Sequence, residues 1–162
     1  MGKEHQKNAR GRTGEKLYSI LNELIDISED QQKKYRSKHF YDTISWVKEY
    51  CTIQLKTARQ AGHTYALVET AITRFENPVI ISPQFTMSQH IEECIKDQRN
   101  QYQTGTPILA TVNSLDRLIE LVKIDAVFID CSFMLSDNKK TTIYNKFLEL
   151  AKSKPFFFIF VE

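Results

Sequence analysis

The sequence predicts an α/β protein in which a five-stranded, mostly parallel sheet is covered by helices on both faces and preceded by a helical extension. Three observations predict it. Short apolar runs alternate with segments of helical period along most of the chain. Several of those runs are apolar at successive positions, as strands buried on both faces must be. The 162 residues are 41% hydrophobic and 26% charged, a globular composition sized for one core.

Residues 1–16 carry Lys3, Lys7, Arg10, Arg12 and Lys16 against Glu4 and Glu15, with three glycines and no apolar period. A basic, flexible tail is expected there. Residues 17–51 form the helical segment. Leu17, Ile20, Leu21, Leu24 and Ile25 follow one-sided helical spacing, and Ser28 with Gln31 has the spacing of a capping box, so a break is expected near Ser28. Lys33, Lys34, Arg36 and Lys38 follow as a basic run, the best local candidate for contact with nucleic acid or an anionic partner, although a solvated helix face is the plainer reading. Asp42 or Thr43 caps a helix carrying Ile44, Val47 and Tyr50.

Residues 52–162 form the α/β core. The expected strands are Thr52–Ala58, Pro78–Ser82, Ile108–Val112, Ala126–Asp130 and Phe156–Val161. The expected helices are Thr64–Phe75, Met87–Gln98, Leu115–Val122 and Thr142–Lys152. Ligands of parallel sheets bind at the carboxyl ends of the strands, so function is expected in the loops after Ala58, Ser82, Val112, Asp130 and Val161.

Composition also excludes. No apolar run approaches the ~18 residues of a membrane span, and the basic N-terminus has no apolar centre of a secretory signal. A cytoplasmic protein with no membrane partner is therefore expected. A net charge of +2 is small for a nonspecific nucleic-acid binder. Cys51, Cys94 and Cys131 make no CxxC pair, and His5, His39, His63 and His90 show no HxxxH or HExxH spacing, so neither a disulfide framework nor a structural zinc site is expected. Trp46, Tyr50, Tyr65 and Phe85 are expected as core or rim aromatics.

The loop after the first core strand carries chemistry. Arg59, Gln60, Ala61, Gly62, His63, Thr64 and Tyr65 lie between a strand and a helix, where Gly62 permits close backbone approach, the helix start presents free N–H groups and Thr64 offers a hydroxyl. The fourth strand, Ala126-Val127-Phe128-Ile129, runs into Asp130. The GRTGEK stretch (Gly11–Lys16) is a decoy, since no strand precedes it. Cys131 and His63, both at strand ends, also make a conceivable thiol–imidazole pair, for which the sequence names no third orienting group.

The loop resembles the Arg-Gln-x-Gly-Lys-Thr/Ser phosphate loop of phage terminase large subunits and helicase-like ATPases, and the fourth strand resembles their Walker B strand. Over residues 40–162 the order of elements is similar as well. The resemblance implies a three-layer RecA-like P-loop NTPase fold, a nucleotide site at residues 59–65, and ATP with Mg²⁺ held by Thr64 and Asp130. It implies a bacteriophage setting in the cytoplasm of an infected host. Two departures bear on activity. His63 stands where the family has its lysine, and Cys131 where it has the glutamate that orients water. Thr57 stands at the general loop's first glycine, as in the terminase variant.

Losing one preorganised electrostatic contact costs ~10²–10³ in rate, so losing two leaves negligible turnover. The function expected is a non-catalytic or weakly nucleotide-binding module that binds and regulates a protein or nucleic-acid machine. A weak Mg²⁺-dependent ATPase and a nucleic-acid-binding protein are the alternatives.

Overall fold

In the computed structural model the described residues are 2–38, 42–57, 62–98, 105–118 and 123–162, with side chains described from residue 14 onward. The elements in chain order are α1 (Gly2–Tyr35), α2 (Thr43–Tyr50), β1 (Thr52–Leu55), α3 (His63–Arg74), β2 (Pro78–Ser82), α4 (Phe85–Gln98), β3 (Ile108–Thr111), a 3₁₀ helix (Val112–Arg117), β4 (Ala126–Ile129), a 3₁₀ turn (Ser132–Met134), α5 (Asp137–Ser153) and β5 (Phe157–Val161). Among the described residues no helix is long and apolar enough to cross a membrane.

The five strands form one sheet in the order β1-β5-β4-β2-β3, with every pairing parallel. All positions of β2, β4 and β5 are buried, whereas the edge strands β1 and β3 are partly exposed. Side chains alternate between faces with period two. Ile80, Phe128 and Ile159 point into a cluster with α1, α3 and α4. Val79, Ile81, Val127, Ile129, Phe158 and Phe160 point into a second cluster with α2 and α5. The chain therefore steps outward from β1 through β2 to β3 with α3 and α4 on one face, and returns through β4 to β5 with α5 on the other. Right-handed connections require that change of face when the direction reverses. The architecture is three layers, α/β/α.

One expectation about the N-terminal third is corrected. Helix α1 is continuous from Gly2 to Tyr35, without a break at Ser28. Ser28 is buried and its Oγ donates to the Tyr50 carbonyl at 2.6 Å, so its hydroxyl serves a tertiary contact in place of a cap. One turn on, Gln32 is fully buried and grips one residue of the strand side: Nε2 donates to the Phe156 carbonyl at 2.8 Å and Oε1 accepts from the Phe156 N–H at 3.1 Å. This pair satisfies both backbone groups of a buried residue just before β5. Arg74 of α3 pairs with Asp26 of α1, and Tyr18 OH meets Thr73 Oγ1 at 3.2 Å, so α1 is fastened to the helix that opens the site.

In the core, β2 has the expected limits. Helix α5 starts at Asp137 and not at Thr142, because Ser136 caps it through the Lys139 N–H. Where a helix is expected over 115–122, a 3₁₀ helix ends at Arg117, its start fixed by reciprocal bonds between Thr111 and Ser114; residues 119–122 lie outside the described residues.

Candidate functional site at the carboxyl ends of β1, β4 and β5

Parallel alignment puts the carboxyl ends of β1, β5 and β4 side by side, with β5 between the other two. The segment after β1 leads into α3 through Gly62, which caps the helix with a left-handed backbone (φ 77, ψ 23). Glycine takes that conformation at no steric cost. Of the loop residues expected to bind nucleotide, Arg59, Gln60 and Ala61 lie outside the described residues, as does Ala58. Gly62, His63, Thr64 and Tyr65 are described, and His63 opens the helix.

The first turn of α3 meets the end of β4. Thr64 Oγ1 donates to Asp130 Oδ2 at 3.0 Å. Asp130 Oδ1 accepts the Cys131 N–H at 3.0 Å and lies 3.4 Å from His63 Nε2. The same nitrogen lies 3.7 Å from Cys131 Sγ. Asp130 is 2% exposed, so these donors replace the water a buried carboxylate loses. His63 Nδ1 is buried with no hydrogen-bond partner among the described residues.

Cys131 adopts a left-handed backbone (φ 48, ψ 45) and is the only described non-glycine residue with positive φ. For a side chain with a Cβ that conformation costs ~1–2 kcal/mol. Strain of this kind concentrates at functional sites. Burial first, and then the neighbouring Asp130 charge, push the Cys131 thiol up from 9.0 to about 12.

Sequence reading missed Glu162. The strand pairing carries it to this edge, where its N–H donates to the Leu55 carbonyl at 2.9 Å and its carbonyl accepts the Thr57 N–H. Its carboxylate accepts from Ser132 Oγ at 3.3 Å and lies 4.0 Å from Lys56 Nζ. The only local signal was an acid directly after an apolar strand.

The protein matches no protein-family model and no curated protein.

A cysteine–histidine–aspartate relay needs the two ring nitrogens to face different partners. Here His63 turns Nε2 to both the thiol and the carboxylate, and the thiol stays protonated at neutral pH, so the pair is not arranged as a nucleophile and its base. Magnesium takes oxygen ligands and retains water; of the groups around the buried Asp130 only the Thr64 hydroxyl is an oxygen donor, the others being an N–H, an imidazole and a thiol.

The four basic residues proposed for partner contact are mostly occupied. Arg36 donates to the Lys152 carbonyl at 2.9 Å and the Ala151 carbonyl at 3.4 Å, capping the end of α5, and it lies over the Trp46 ring at 5.1 Å. Lys33 pairs with Glu29 at 2.8 Å. Lys34 and Lys38 lie over the Tyr35 ring at 5.0 Å and 5.6 Å.

Proposed function

We propose that the protein is a binding module built on a P-loop-type scaffold that no longer turns over a nucleotide and acts by docking on a partner protein of a nucleic-acid machine. The observation that carries this reading is the bond between Thr64 and Asp130. It joins the strand–turn–helix corner to the end of the fourth strand, the two places where a phosphate loop and its acidic partner would have to meet.

The chemistry around that corner favours binding over turnover. A short imidazole tied to Asp130 stands in place of a long ammonium, and a protonated thiol in place of a general base. Asp130 and Glu162 also put two carboxylates at this sheet edge, which opposes a polyphosphate.

A protein partner is favoured over nucleic acid for two reasons. The basic run is spent on intramolecular contacts. Large apolar side chains are exposed in segments that follow strand ends: Tyr65 on α3, Phe85 at the start of α4, and Phe133 with Met134 after β4. Exposed aromatic and methionine side chains are the groups that anchor protein interfaces.

Steady-state hydrolysis of Mg·ATP tests the reading. Phosphate release at the background rate, unchanged by Asp130→Ala, agrees with it. Turnover that Asp130→Ala abolishes contradicts it.

A further inference from the structure

The structure brings together three side chains of different chemistry that sequence spacing keeps apart. His63, Asp130 and Cys131 offer a nitrogen, an oxygen and a sulfur within 4.8 Å of one another. The nitrogen-to-oxygen distance is 3.4 Å and the nitrogen-to-sulfur distance 3.7 Å. A tetrahedral zinc ion with bonds of ~2.0–2.3 Å holds such donors ~3.4–3.6 Å apart. Local spacing excluded a zinc motif because such motifs place ligands on one loop or helix. Here one ligand comes from the start of α3 and two from the end of β4.

We propose that His63 Nε2, Asp130 Oδ1 and Cys131 Sγ form a three-ligand site for a borderline-soft divalent cation of the zinc class. The donor set selects the class: thiolate and imidazole suit Zn²⁺ and Co²⁺, and exclude Mg²⁺ and Ca²⁺. Thr64 serves as the supporting residue, since its hydroxyl holds Oδ2 while Oδ1, which also accepts the Cys131 N–H, faces His63 Nε2, the role outer partners play in orienting metal-binding carboxylates. Binding replaces the thiol proton, which passes to the buffer, with a sulfur–metal bond. Three protein ligands leave a fourth position open, the pattern of sites that bind an exogenous ligand.

The inference stands apart from nucleotide binding. Zn²⁺ binding with no response to Mg·ATP agrees with both readings, and Mg·ATP turnover would overturn the binding-module reading alone.

Titration of the reduced full chain with Co²⁺ is the test, with Zn²⁺ as competitor. The expected result is one Co²⁺ per chain with a thiolate-to-cobalt charge-transfer band and intense tetrahedral visible bands, all bleached by Zn²⁺. This readout needs no variant. Cys131→Ser removes the charge-transfer band and weakens binding by more than the ~10–100-fold that supporting residues alone contribute. His63→Gln also weakens it. Cys94→Ser leaves the spectrum unchanged, a necessary control because Cys94 Sγ lies 3.9 Å from His90 Nε2. A wild-type spectrum without thiolate character overturns the proposal, as does a band that follows Cys94 and survives Cys131→Ser.

Discussion

The hydroxyl of Thr64 lies 3.0 Å from a carboxylate oxygen of Asp130, a residue 66 positions later in the chain. Neither strand that delivers them touches the other, because β5 lies between β1 and β4. Both residues are nearly buried, so the bond is made in a medium where an unpaired charge is costly. Thr64→Val keeps the shape and removes the donor. Hydrogen bonds to charged groups contribute ~1.5–3 kcal/mol, and a loss in that range is expected from urea unfolding, with the midpoint lowered and the slope unchanged.

Cys131 holds a backbone conformation that glycine adopts freely. Cys131→Gly is expected to be more stable than Cys131→Ala by ~1 kcal/mol, since only alanine retains the strained Cβ. Equal stabilities of the two variants in metal-free buffer would show that the left-handed turn is not strained.

The other two thiols set a pH dependence. Burial pushes Cys51 up from 9.0 to about 12 and Cys94 to about 11. Above pH 9 the unfolded chain releases these protons while the native chain retains them. The unfolded state then binds fewer protons, so stability falls as pH rises. The contribution is fully present below about pH 9 and is lost progressively up to about 12 for Cys51. Chemical unfolding between pH 8 and 10.5 checks this, and Cys51→Ala should flatten the decline.

Arg36 separates a structural from a nucleic-acid role for the basic run. It caps two carbonyls at the end of α5 and lies over Trp46. Arg36→Ala is expected to cost ~1–2 kcal/mol, whereas Lys34→Ala stays within ~0.5 kcal/mol, as exposed substitutions do. Arg36→Ala with unchanged stability and steeply weakened DNA binding would assign the run to phosphate contact.

The sheet was legible because its signal is local. Pro78–Ser82 and Ala126–Ile129 are runs of apolar residues bounded by turn formers, and a central strand must be apolar throughout. The continuity of α1 was not legible. Ser28 has the spacing of a cap, and only the distant Tyr50 carbonyl explains why its hydroxyl faces inward. The start of α5 was legible in principle, since Ser136 is a favoured capping residue. Of the site, the Thr64 and Asp130 positions follow from strand ends and turn chemistry. The pairing of His63 with Cys131 was conceivable from the same strand ends, but their 3.7 Å contact and the shared approach to Asp130 were not, because they depend on the strand order across the sheet and on the left-handed turn at Cys131, neither of which leaves a mark in residue spacing.

We propose above that the corner formed by Gly62, His63 and Thr64 is a phosphate-loop-shaped turn carrying an imidazole in place of an ammonium. Calorimetric titration of Mg·ATP into the wild type, Asp130→Ala, and the His63→Lys, Cys131→Glu double variant tests it most directly. The predicted result is no measurable binding by the wild type or Asp130→Ala, and binding gained by the double variant. Micromolar binding by the wild type that Asp130→Ala abolishes would contradict it.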